Sequence, residues 1–136
     1  MLILVLIVFF IGTASSFGQV KLPHYSRDVL PNGAVVYLAP RPGLPVAHFR
    51  VLIKGGAESE PRNLAGLSSI TAELLRRGAG QYSADQFSNE LDALGAIFSV
   101  RADEQATVID CEFLKKDLDH SVGLLSDAVL RPAFPE

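Results

Sequence analysis

Between Val46 and Lys54 the chain alternates: Ala47, Phe49, Val51 and Ile53 fall on one side, and His48, Arg50 and Lys54 on the other. Side chains of successive strand residues point to opposite faces, so this pattern predicts a half-buried β-strand. Gly55-Gly56 ends it, and Glu58 to Asn63 forms a polar loop. Upstream, "DVLPNGAVVYLAPRP" predicts a turn at Asn32-Gly33 feeding a strand from Ala34 to Ala39, with "PGLP" as the next connection. Past the polar loop the period changes to that of a helix. The segment Leu64 to Arg77 places Leu67, Ile70, Thr71 and Leu74 on one stripe, and Gly78 stands where a C-cap glycine belongs. A second helix opens at "SADQ", a capping box of Ser83 and Gln86, and carries Phe87, Leu91 and Leu94 before Gly95 closes it. Strands at about Ile97 to Ala102 and Thr107 to Leu114 follow, joined by the polar "DEQ". A third helix begins at Asp117, with Leu118, Val122, Leu125 and Val129 facing a core, and "RPAFPE" stops it.

The order β-β-α-α-β-β-α predicts an α+β fold, a two-layer sandwich with helices on one face of a mostly antiparallel sheet. At 136 residues there is room for one domain at most. The segment 25–136 is expected to be a partial domain, incomplete at its C-terminal side, whose sheet keeps an unprotected edge. The first residues stand apart. "MLILVLIVFFIG" is an unbroken apolar run followed by the small residues of "TASSFGQV". This is the layout of a secretory signal peptide over 1–18, with Ser16 and Gly18 suited to a cut before Gln19. The run is far shorter than the about 20 residues of a membrane span, so no stable span is expected after cleavage. Export to the periplasm or the extracellular space is the expectation.

Charge and chemistry narrow the picture. A net charge of -3 without clustered Lys or Arg speaks against nucleic acid as a partner. Cys111 is the one cysteine and alternates with Ile109 and Phe113, so it is expected as a buried small hydrophobe. His48 lies on the polar side of its strand and is expected to be solvated. Ser68 and Ser69 have no histidine at helical reach, so nothing there activates a serine nucleophile.

The stretch "LPNGAVVYLAPRPGLPVAHFRVLIKGGAESEPRNLAGL" resembles the opening of the peptidase M16 family, the pitrilysin/insulinase-type zinc peptidases. In that family a strand pair leads to a G-x-x-x-E loop, a Gly-Leu, and then H-x-x-E-H on a helix. Gly56, Glu60, Gly66 and Leu67 fall in register without a gap, and the similarity runs on through "LDALGAIFSVRADEQATVIDCEFLKKDLDHSVGLLSDAVLRPAFPE". The resemblance covers about Val29 to Glu136 and implies the two-layer fold of LuxS/M16-type metalloenzymes. It also implies that Ser69 stands at the first metal histidine, Ala72 at the glutamate and Glu73 at the second histidine. Zinc takes two imidazoles from adjacent turns, a further carboxylate and a water, and the intervening glutamate removes the proton from that water. Serine is a poor zinc ligand and alanine has no basic group. The family's remaining glutamate ligand is expected beyond Glu136, and His24 and His120 fall outside the helix.

Ser69, Ala72, Glu73 and Arg76 then form an ordinary polar stripe, in which Glu73 can pair with Arg76 or Arg77. No bound zinc or other cofactor is therefore expected, and no catalytic residue is assigned. The resemblance implies a non-catalytic member, a partner subunit or pseudopeptidase that helps bind peptide beside a catalytic subunit carrying H-x-x-E-H. An orphan truncated scaffold and an active zinc metalloendopeptidase with unusual ligands are the alternatives. Peptide would be held by strand addition along Phe98, Ser99 and Val100, as the family binds substrate at a sheet edge. A plain core strand explains the same three residues, and apolar alternation does not separate the two.

Overall fold

The structure, a computed structural model, describes residues 23–134, so the predicted signal peptide at 1–18 lies outside the described residues. The chain divides into two compact units between Pro42 and Gly43.

The first unit is a hairpin. Strands β1 (Ser26–Val29) and β2 (Val35–Leu38) pair antiparallel, with Ser26 opposite Leu38 and Val29 opposite Val35. Gly33 at a φ of 84° makes the turn, and the Asn32 side chain accepts a hydrogen bond from the Ala34 amide at 3.0 Å. The sequence predicted the turn and β2 but not β1. "SRDV" has a single apolar residue, and its extended state comes from the hydrogen bonds of its partner.

The second unit holds β3 (Val46–Lys54), α1 (Leu67–Leu74), α2 (Ala84–Ala93), β4 (Ile97–Ala102), β5 (Ala106–Leu114) and α3 (Leu118–Leu130). The strands form a three-stranded antiparallel sheet in the order β3-β5-β4, so β5 is central and β4 is an edge among the described residues. Val46 pairs with Leu114 and Lys54 with Ala106 along one side of β5; Ile97 pairs with Glu112 and Ala102 with Thr107 along the other. One face of β5 sends Ile109, Cys111 and Phe113 into the core, where Phe87, Leu124, Leu125 and Ala128 of the helices meet them. Phe87 is fully buried and meets Phe98 edge to face at 5.6 Å, while Phe49 stacks on Phe113 at 5.3 Å. This is the α+β arrangement expected, with helices on one face of an antiparallel sheet. No helix among the described residues is long and apolar enough to cross a membrane.

Several local expectations need correction. The first helix is shorter than Leu64 to Arg77, because a carboxylate starts it late and tight i→i+3 bonds, Arg76 N to Glu73 O at 3.3 Å and Arg77 N to Leu74 O at 2.9 Å, stop it early. Its packed side is also different. Leu67 and Ile70 are 44% and 60% exposed, whereas Ala72 and Leu75 are buried and Ser68 is half-buried. In α3 the inner stripe is Ser121, Leu124, Leu125 and Ala128, and Val122 is exposed. In β3 Ile53 is exposed although Ala47, Phe49 and Val51 pack inward. The second helix has the predicted capping box: Ser83 Oγ accepts from the Gln86 amide and Gln86 Oε1 from the Ser83 amide.

Cys111 is 3% exposed, and burial, followed by the nearby Asp110 charge, pushes its thiol up to about 11. In the native chain at pH 8 the thiol should resist iodoacetamide and react only as fast as the domain opens. Mass spectrometry after timed alkylation checks this, and rapid labelling without denaturant would contradict the packing described.

Candidate functional site

The loop leaving β3 is fastened to the β4–β5 turn. Gly55 N donates to Gln105 O at 3.0 Å, Ala57 N to Asp103 O at 3.0 Å and Glu58 N to Glu104 O at 2.9 Å. Gly56 sits in the middle of this clasp. A Cβ there would overlap the Asp103 carbonyl oxygen and lie 2.9 Å from Ala106 N, so only glycine fits without moving the backbone. The turn is itself held by the Asp103 carboxylate, which accepts from the amides of Gln105 and Ala106 at 2.9 and 2.8 Å. Those two bonds, led by the one from Ala106, hold its pKa below the ordinary value.

The same loop delivers Glu60 to the start of α1. Its Oε2 accepts from Gly66 N at 2.8 Å and its Oε1 from Ser68 N at 2.7 Å, so one carboxylate satisfies two of the orphan amides at the helix N-terminus. Gly66, at a φ of 94°, turns the chain into the helix. The Ser68 hydroxyl, then the Ser68 and Gly66 amides, hold the Glu60 pKa below its ordinary 4.5. The sign follows directly. Because the folded pKa is the lower one, Glu60 contributes stability above the unfolded value and loses it as pH falls through the folded value. The melting temperature of Glu60→Gln should lie below that of the parent at pH 7, and the gap should begin to narrow below the unfolded glutamate value of about 4.3 and go on closing as pH falls through the lowered folded one. A gap that stays constant with pH would assign the loss to something other than the charge.

The helix that Glu60 starts packs against β4. Ala72 is turned into this contact at 3% exposure, while Ser69, Glu73 and Arg76 point to solvent. Glu73 pairs with Arg77 at 3.5 Å, one of the two partners expected for it. Of the histidines in the second unit, His48 lies on the sheet, 3.6 Å from Asp110, and His120 meets Glu90 across α2 and α3 at 2.9 Å. Among the described residues no three His, Cys, Asp or Glu side chains converge as a metal would require.

Phe98, Ser99 and Val100 are brought beside this helix because β4 is its neighbour and the sheet edge. Their side chains differ. Phe98 is buried against Phe87, Val100 packs on the core, and Ser99 is exposed on the opposite face, paired with Asp110. Only the edge backbone and the outward face of β4 are therefore accessible.

That outward face also carries a charge cluster which sequence reasoning missed. Arg50 Nε donates to Asp110 Oδ1 at 2.6 Å, and Arg101 Nη1 donates to Asp110 Oδ2 at 2.6 Å. The hydrogen bonds from Arg50 and then Arg101 hold the Asp110 pKa below the ordinary carboxylate value. Arg50 is directly opposite Asp110 in register, and Arg101 is its diagonal neighbour. The alternation of β3 put Arg50 on the polar face, but the register that aligns it with a residue 60 positions away is not written in adjacent residues.

The family model for Insulinase (Peptidase family M16) matches residues 35–136. Two solved structures share the fold. One is an inactive domain of a peptidase M16 from Pseudomonas fluorescens, with a TM-score of 0.77 at 20% identity over 82% of this chain. The other is a protease from Helicobacter pylori, with a TM-score of 0.74 at 21% identity over 85% of this chain. This chain spans only 27% and 28% of the length of those two. Among curated proteins none matches it.

Proposed function

Because this chain belongs to the insulinase family of peptidases, M16, we propose that it is a non-catalytic member which helps a catalytic partner subunit hold peptide substrate. The observation that carries this reading is the makeup of α1. The three positions that the resemblance aligns with the family's metal motif are Ser69, Ala72 and Glu73, and the middle one is buried. Neither serine nor alanine offers a zinc ligand or a base of useful strength at neutral pH, and one glutamate paired with an arginine is a poor substitute for two imidazoles. Zinc-assisted water activation on this helix lacks its ligand set, since Glu73 is the one carboxylate among the three positions.

What this scaffold offers is the edge strand β4 beside α1. Strand addition uses the main-chain donors and acceptors of an unpaired edge, and it needs no catalytic side chain. The inactive peptidase M16 domain among the structural relatives is consistent with a non-catalytic assignment.

Two measurements test it. Elemental analysis of the chain purified without chelator should show less than one tenth of a zinc per chain, since the ligand count is too low for retention. Affinity purification of the tagged chain from its source cells should recover a chain carrying H-x-x-E-H. Stoichiometric zinc that a chelator removes, together with peptidase activity lost on the same treatment, would replace this reading with that of an active enzyme.

A further inference from the structure

The cluster on the outward face of the sheet has more donors than it uses. A guanidinium carries five N–H donors. Among the described residues Arg50 spends its Nε–H and Arg101 an Nη1–H on Asp110, and neither guanidinium has another protein acceptor. Asp110, by contrast, is engaged at both oxygens: each takes one short bond, and its side chain is only 14% exposed. Two arginines share the Asp110 carboxylate, with His48 3.6 Å from it, and Asp103 at the β4–β5 turn is a second carboxylate near Arg101, so what the cluster offers is chiefly its unused N–H donors. The carboxylate also fixes both arginines, so a second anion would find them already oriented.

Position gives this surplus a use. Arg101 belongs to the edge strand β4, and its face also carries Ser99 and Ile97. A peptide added along β4 alternates its own side chains between the two faces of the sheet. Those on this face would lie beside Arg101, Ser99 and Ile97 in turn. The two ends of the strand differ. At one end Arg101 offers unused donors, whereas at the other Ile97 is paired with Glu112, whose residue lies on the same face.

We infer that the Arg50–Asp110–Arg101 cluster is a specificity element for peptide bound at β4, selecting an acidic side chain at the position facing Arg101. This rests on the peptide-binding reading above. The ion pair that forms is partly exposed, so its effect is moderate and falls with salt.

The test uses the full 136-residue chain and fluorescein-labelled, ten-residue extended peptides that differ in a single position, Glu or Gln, moved along the peptide. Fluorescence anisotropy in low salt should show the Glu peptide binding about three- to tenfold tighter than its Gln twin at one position. The ratio should shrink towards one by 0.5 M salt. Arg101→Gln should abolish the ratio, and Arg101→Lys should restore part of it. Equal binding of Glu and Gln peptides at every position would overturn the specificity element and leave peptide binding standing. Binding of neither peptide would overturn the edge-strand reading, and this inference with it.

Discussion

Phe87→Ala should cost the second unit about 3–5 kcal/mol, the range found when a fully buried aromatic is truncated in a core that cannot collapse around the gap. Phe87 has no exposed surface and is the main side chain that α2 inserts between the other helices and the sheet. Its ring meets Phe98 edge to face at 5.6 Å and 84°, so truncation removes this contact as well as the buried area. The buried cluster that holds Phe87 also includes Ala79, Leu124 and Ala128, which are small or already packed and have little freedom to fill a gap. A domain of this size commonly has only about 5–15 kcal/mol of stability in hand, so the variant should be partly unfolded at 37 °C. Urea denaturation followed by circular dichroism measures the loss. A loss below about 1 kcal/mol would mean that α2 is not anchored by this ring.

Gly56→Ala should destabilise by about 3 kcal/mol, although it adds only one carbon at a loop position. Its backbone is extended, at a φ of -141°, so the difficulty is space and not conformation. The added Cβ would overlap the Asp103 carbonyl oxygen, the same oxygen that receives the Ala57 amide. Relieving the overlap requires the loop and the β4–β5 turn to part, and the clasp formed by the amides of Gly55, Ala57 and Glu58 would loosen. The effect should then travel four residues further to Glu60. With the loop displaced, the Gly66 and Ser68 amides lose their carboxylate, and their hydrogen exchange should accelerate more than that of amides in α3. Exchange that rises equally in α1 and α3 would show a general loss of stability with no special route through the cap.

Legibility of the fold from sequence followed how local each cause is. The bounds of β3 and β4 were readable because alternation and the glycine pair at 55–56 are written in adjacent residues. The capping box of α2 is equally local. The inward side of α1 was not readable, because Leu67 and Ile70 are its most apolar residues and yet they face outward. Which side packs is decided by Glu60, which sets where the helix begins, and by the small Ser68 and Ala72, which allow a close approach to β4. Ser69, Ala72 and Glu73 are candidates only through resemblance to a family motif, which is read along adjacent residues. The Asp110 cluster could not be read in that way, since it exists only once three strands are aligned across separations of 9 and 60 residues.

The tail of the second unit is stitched back onto a loop far behind it. Gly80 N donates to Arg131 O at 2.8 Å and Ala133 N to Gly78 O at 3.0 Å, with fully buried Ala79 held between. These bonds span more than 50 residues, so the ribosome must release almost all of the second unit before they can form. During synthesis, the loop between α1 and α2 therefore lacks these two bonds until residue 133 has emerged. Chaperones that shield apolar surface would find their opportunity in that interval.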